Sequence, residues 1–358
     1  MTAGPIGFER LTAAQILGIP RSEPERLFAE DAAAARAAFR RLAGRWHPDR
    51  CAEPQAAEVF QHLLGLNKAA AARRRSGLWH LPGRLEIRTR DGRRYRLRYL
   101  RRHTFELGEM YLCRRTLAFV IDAAHGDLFA NAEKRIGGFR FATPEMRREA
   151  ERYLPRVRKV LETAEARVLL LDKPEDLILM RDLVDHLSGH LGGHLGGHLD
   201  GRQVAWVLST LLSLACYLNY AGLVHAAIGP DSVFVSPRRH SGALLGGWWY
   251  ALPSGARFLA LPARSADLID ARSLALRTAD PRVDLTLIRA LGHEILGDPS
   301  GARLAVEGRV PVAIANWLRM PSSGSAVEDY RSWQEALSAG YGARRFVELA
   351  VTPSDIYG

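Results

Sequence analysis

Several groups of residues in this chain have types and spacings that could do chemistry. His47-Pro48-Asp49 sets an imidazole and a carboxylate on either side of a proline. His190, His194 and His198 recur every four residues in SGHLGGHLGGHLDG, and on a helix they would share one face, as metal ligands do. Gly192, Gly193, Gly196 and Gly197 make that helix poor, so the segment reads as a repeat-expanded surface loop. Residues 84–102 are rich in arginine and could meet nucleic-acid phosphates, with Tyr95 and Tyr99 available for stacking. A histidine, His225, opens the run HAAIGPDSVFV, which comes after a long uncharged stretch.

The elements that must position these groups can be read from pattern. Thr12 and Gln15 have capping-box spacing before a short apolar helix, Ala13–Leu17. Asp31 can cap an alanine-rich helix reaching about Trp46, with Phe39, Leu42 and Trp46 on one face. Pro48 stops it, and a third helix runs from about Gln55 to Arg75. Residues 84–100 predict a hairpin. A two-residue Asp-Gly loop would set Ile87 opposite Arg96 and mix the faces. A three-residue loop, Arg90-Asp91-Gly92, sets Ile87 opposite Tyr95 and Leu85 opposite Leu97, with Gly92 left-handed. Tyr95 and Tyr99 then point inward, which weakens the stacking idea. Strand signals come next at Met110–Cys113, Leu117–Ile121, Val168–Leu171 and Leu177–Met180, with a helical pattern at 127–136 and mostly helix from 200 to 350.

Composition bounds the function. Of 358 residues, 47% are hydrophobic and 25% charged, which excludes a mainly disordered chain. The net charge is +11, yet residues 73–103 alone carry twelve arginines against two acids. The basic character belongs to one short stretch, so a globally basic nucleic-acid protein is not expected. Three scattered cysteines suit a reducing cytoplasm rather than a disulfide scaffold. Val204–Val224 has the length of a membrane span, but its Ser209, Thr210, Ser213 and Asn219 favour a buried core helix.

The stretch from about residue 8 to 76 resembles the J domain of the DnaJ family, on the HPD tripeptide set between an arginine-bearing helix and an apolar one. That resemblance implies a loop shaped by Pro48, with His47 and Asp49 contacting a DnaK-type chaperone and stimulating its ATPase. Arg40, Arg41 and Arg45 on the preceding helix would dock on an acidic chaperone surface. The loop continues Arg50-Cys51 where the family usually has a lysine, and the chain has no Gly/Phe-rich or zinc-ribbon region.

GLVHAAIGPDSVFVSP (222–237) resembles the catalytic loop of the protein-kinase fold. His225 keeps the histidine place. Ala227 replaces the base aspartate, Ser232 the metal-binding asparagine, and Gly247 the metal-binding aspartate, with Trp248 at the phenylalanine place. Asp284 would open the buried helix that anchors the loop. In the small lobe, Gly108–Tyr111 resembles the tail of a degraded glycine-rich loop. Val120 falls at the place of the ATP-binding lysine and Glu133 at that of its glutamate partner. Phosphoryl transfer needs metal ligands and a positioned hydroxyl, so the resemblance implies a pseudokinase without metal or cofactor.

The expected architecture is α+β: an all-α J domain (1–79), a basic hairpin junction (80–103), and a bilobal kinase-like body with a β-rich small lobe (104–185) and a helical large lobe (186–358). The expected function is a cytoplasmic co-chaperone that recruits a DnaK-type chaperone and holds an unnamed client through its kinase-like body, with no membrane partner. Two other readings compete. One is an atypical kinase or nucleotide-transferase using Lys134 and Glu133. The other is a nucleic-acid-binding adaptor working through Arg88 and Arg94 of the hairpin.

Overall fold

A computed structural model describes residues 11–189, 198–269, 274–275, 277–304, 306, 308–343, 345 and 347–358. His190 and His194, and so the three-histidine expectation, lie outside the described residues. Among those described, no group of three or more His, Cys, Asp or Glu could hold a metal ion.

The chain begins with three helices. Thr12 caps α1 (Ala13–Leu17) in a reciprocal box with Gln15. Asp31 caps α2 (Ala32–Arg45) by accepting from the Ala34 amide. The long α3 (Ala56–Ser76) ends at Gly77, whose φ of 77° is left-handed. Leu42 and Trp46 bury against Val59, Leu63 and Leu66, and each such side chain contributes about 1.5–3 kcal/mol.

No spacer separates these helices from the first sheet, since α3 reaches Ser76 and the first strand opens at Leu78. Strands β1 (Leu78–Leu81), β2 (Arg84–Arg88) and β3 (Arg94–Arg98) form an antiparallel sheet in that order. The β2–β3 turn takes the three-residue register: Ile87 opposes Tyr95, Leu85 opposes Leu97, and Gly92 sits at φ 81°. β1 has no signal in the sequence, because LWHL is too short to show a period. The expected border at 79/80 therefore cuts a strand.

A second sheet holds β4 (Arg101–Phe105), β5 (Gly108–Leu112), β6 (Thr116–Asp122), β7 (Val157–Glu162) and β8 (Ala166–Asp172), in the order β4-β5-β6-β8-β7. The border expected at 103/104 falls within β4. The two sheets pack face to face. Leu85 and Ile87 of the first bury against Ala118, Val120 and Val168 of the second. The other face of the five-stranded sheet covers α4 (Gly126–Gly137), through Phe129 and Ile136. A short helix, α5 (Pro144–Ala150), precedes β7.

The large lobe comes next along the chain. β9 (Ile178–Leu179) pairs with β11 (Val233–Ser236), which also pairs with β12 (Ser241–Leu244); β10 (Leu223–Val224) pairs with β13 (Leu252–Pro253). Helices α6 (Met180–Gly189), α7 (Gly201–Tyr220), α8 (Ala263–Leu268), α9 (Pro281–Ile295), α10 (Val312–Arg319), α11 (Ala326–Tyr341) and α12 (Pro353–Tyr357) complete it. The border expected at 185/186 falls within α6. α7, uncharged from Val204 onward, is a core helix packed on α9 and α11. Among the described residues no helix is long and apolar enough to cross a membrane.

Candidate functional site

Two surfaces could carry function. The first is the loop after α2. Leu42 and Trp46 anchor the end of the helix, so Arg40, Arg41 and Arg45 stand exposed. The Arg45 guanidinium lies 5.3 Å from the Trp46 ring centroid. Arg40 and Arg41 make no ion pair among the described residues. The His47 carbonyl accepts from the Arg50 and Cys51 amides, both at 2.9 Å, and closes the turn around Pro48. The His47 ring meets Phe60 of α3 edge-on at 5.3 Å, and its Nδ1 accepts from the Asp49 amide at 3.3 Å. The His47 side chain is 43% exposed and that of Asp49 85%. The packing thus orders an imidazole and a carboxylate, 3.6 Å apart, on an open turn beside an arginine-bearing helix face.

The second surface is the cleft between the lobes. Asp284, at the start of α9, accepts from the His225 and Ala226 amides, each at 2.7 Å. These bonds hold Ala226 at φ 61°, a left-handed conformation that alanine adopts only under constraint. His225 Nε2 donates to the Gly246 carbonyl at 3.0 Å, and Nδ1 accepts from the Ala227 amide at 3.3 Å. Burial pushes His225 down to about 3 and Asp284 up to about 6; in each case the surrounding backbone bonds oppose the shift.

These shifts act in opposite directions on stability. Asp284 binds its proton more readily folded, so its contribution is fully present below about pH 4 and is lost as pH rises through 6. His225 binds its proton less readily folded, so its contribution is present above pH 6.5 and is lost as pH falls toward 3. Wild type should therefore lose its advantage over a His225→Asn variant by roughly 3 kcal/mol between pH 7 and pH 4. Urea titrations at the two pH values measure this, and a constant difference would mean the imidazole is not buried neutral.

The positions to which the sequence resemblance assigns a base and metal ligands can now be located. Ala227 offers only a methyl group. Ser232 Oγ donates to the Ala227 carbonyl at 2.7 Å and accepts from the Gly229 amide at 3.0 Å, so it closes its own loop. Gly247 has φ 79°. A Cβ there would lie 2.8 Å from His225 Cε1 and 2.9 Å from the Ala227 Cβ. The nearby carboxylate of Asp231 is paired with Arg181.

The small-lobe assignments need correction. Val120 does not face the cleft. It points to the opposite side of β6, into the core shared with Leu85 and Ile87. Phe119, the neighbour with opposite facing, lines the cleft instead. Five consecutive apolar residues in β6 give no period from which to tell its two faces. Glu133 makes no ion pair among the described residues, Lys134 is exposed, and neither lines the cleft. The polar residue that α4 directs inward is Asn131, whose amide donates to the Trp249 and Ala251 carbonyls at 3.0 and 2.8 Å.

Aromatic rings occupy much of the space under the sheet. Trp249 stacks on Phe105 at 5.0 Å and meets Phe119 edge-on at 4.8 Å. Trp248 is 1% exposed and donates from Nε1 to the Leu244 carbonyl. Glu106, in the two-residue turn between β4 and β5, accepts from Tyr250 Oη at 2.7 Å and the Ala263 amide at 2.8 Å. It bolts the small lobe to the large one. A cavity of about 350 Å³ remains in the cleft, with His103, Arg181, Asp231 and Arg264 among its walls. Sequence pattern gives no sign of Glu106, Asn131 or Phe119; the run Trp248-Trp249-Tyr250 is the one signal of the rings packed under the sheet.

Two lobes, an aspartate-anchored loop and a histidine under it describe one architecture. The body has a protein-kinase-like fold. It is similar to the crystal structure of the BubR1 kinase domain, with a TM-score of 0.50 and 9% identity over 74% of this chain and 83% of that one. The structure of vaccinia related kinase 3 is also similar, with a TM-score of 0.46 and 15% identity over 74% of this chain and 94% of that one. No protein-family model matches the chain, and no curated protein does.

An acid placed at Gly247 should not be accommodated in this body. Gly247→Asp adds a side chain at a left-handed residue and forces it onto His225 and Ala227. A loss of about 2–4 kcal/mol is expected, with no gain in magnesium-dependent stability. Thermal melts with and without magnesium test this; a magnesium-stabilised variant would show that the site can be rebuilt.

Proposed function

We propose that this chain is a J-domain co-chaperone whose kinase-like body is catalytically inactive and serves as an adaptor for a client. His47, Pro48 and Asp49 would engage a DnaK-type chaperone and stimulate its ATPase, with Arg40, Arg41 and Arg45 docking on its acidic surface. The observation that carries this reading is the ordered turn at the tip of α2. His47 is fixed by Phe60 and the Asp49 amide but stays half exposed, beside Arg40 and Arg41, which no acid among the described residues pairs.

The inactivity of the body rests on Ala227, Ser232 and Gly247 at the positions that would hold a base and two metal ligands, and on the aromatic rings that narrow the cleft. Joining the two functions in one chain raises the chaperone's effective concentration at whatever the body holds. The deciding experiment is steady-state ATP turnover of a DnaK-type chaperone with added wild type or His47→Gln.

A further inference from the structure

The outer strand of the three-stranded sheet joins two properties that neither the chaperone contact nor the cleft uses. β3 is an edge: among the described residues only β2 pairs with it. The Arg93 carbonyl accepts from the Thr89 amide and the Tyr99 amide donates to the Gly83 carbonyl, so the odd-numbered residues of β3 address the β2 side. Arg94, Arg96 and Arg98 consequently turn their backbone N–H and C=O groups outward. None of these three amides has a partner among the described residues.

The same three residues put their side chains on one face, all exposed. Arg88 stands opposite Arg94 on that face. Arg96 shares Glu86 with Arg84, and Arg88 pairs with Glu30 at 3.2 Å. Arg94 and Arg98 have no acidic partner among the described residues. Glu30 and Asp31 border the groove beside Arg94, but Glu30 is held by Arg88 and Asp31 caps α2.

Alternate side chains on a strand repeat about every 6.7 Å. An extended peptide laid along the edge repeats at that same interval. We propose that β3 takes up an acidic peptide as a fourth strand, its backbone bonded to Arg94, Arg96 and Arg98 and its alternate carboxylates over their guanidinium groups. A nucleic-acid strand fits less well, because stacking aromatics are missing. Tyr95 Oη accepts from Lys159 Nζ at 2.8 Å, and Tyr99 packs on Tyr111.

The test is fluorescence anisotropy on the full chain, with a labelled peptide alternating Glu and Thr and a labelled oligo(dT) of equal charge. Saturable peptide binding is expected. It should weaken about tenfold in Arg94→Ser/Arg96→Ser/Arg98→Ser. It should also weaken about tenfold when alternate peptide amides are N-methylated, a change that leaves the protein untouched. Peptide binding that survives N-methylation would reduce the site to a charged surface and overturn strand addition. Tighter binding of oligo(dT) would make it a nucleic-acid surface instead. No binding at all would leave the arginines as guards against edge-to-edge pairing.

Discussion

Replacing His47 by glutamine is expected to remove the stimulation of a DnaK-type ATPase and to leave the fold intact. The imidazole is half exposed and contributes little to the helical core, whose large members are Leu42, Trp46, Leu63 and Leu66. Glutamine lacks the ring that meets Phe60 edge-on, so the turn loses the group that aims it. Losing one charged or polar anchor from a docked surface costs about 2 kcal/mol or more, or about thirtyfold in affinity. At subsaturating protein, ATP turnover should return to the chaperone's own rate. Arg40→Glu/Arg41→Glu should behave differently, slowing association and flattening its salt dependence while a high protein concentration still restores full stimulation. Equal stimulation by wild type and the His47→Gln variant would end the co-chaperone reading.

The second large effect concerns Asp284. Its carboxylate is 3% exposed and accepts two backbone amides at 2.7 Å. Asp284→Ala leaves both N–H groups buried and unpaired, and it releases Ala226 from its left-handed conformation. A cost of about 3–5 kcal/mol is expected, which for a body of this size lowers the melting temperature by roughly 10 °C. Asp284→Asn keeps one acceptor and should cost less than the alanine variant. Near-ultraviolet circular dichroism tracks the transition, since Trp248 and Trp249 pack next to the anchored loop. A melt of the alanine variant within a degree or two of wild type would show that the anchor is not needed.

Parts of this molecule are legible in its sequence for physical reasons. The β2–β3 register is settled because one residue of slip would move Leu85 and Ile87 to the solvent side, and Gly92 alone tolerates the turn's left-handed position. Thr12 and Asp31 announce their helices because each supplies an acceptor to amides that have no other. The place of Asp284 comes from the kinase-fold resemblance rather than from pattern; its helix opens three residues earlier than that resemblance implies, at Pro281 with Asp280 as cap, and Asp284 in the first turn receives the two amides of the loop after β10. Val120 is misread because β6 is buried on both faces and so has no alternation to show. Its outer face is covered by a sheet whose first strand is four residues long. Glu106 is hidden for another reason. An acid in a turn is the commonest of surface residues, and only tertiary contact makes it a clamp.

The junction itself carries a mechanical consequence. Trp79 belongs to the helical core, and the very next residue, His80, is bonded to Tyr111 in the small lobe. There is no swivel between them. α2 is about 21 Å long and leads from the Glu30–Arg88 ion pair, just ahead of its cap, to the tripeptide. The turn at His47 is therefore carried like the tip of a rigid crane arm. On the proposed co-chaperone reading, a flexible tether would let a chaperone sample every bearing on a client held by the body, whereas this arm would fix one bearing and one reach and favour a client whose exposed segment lay there.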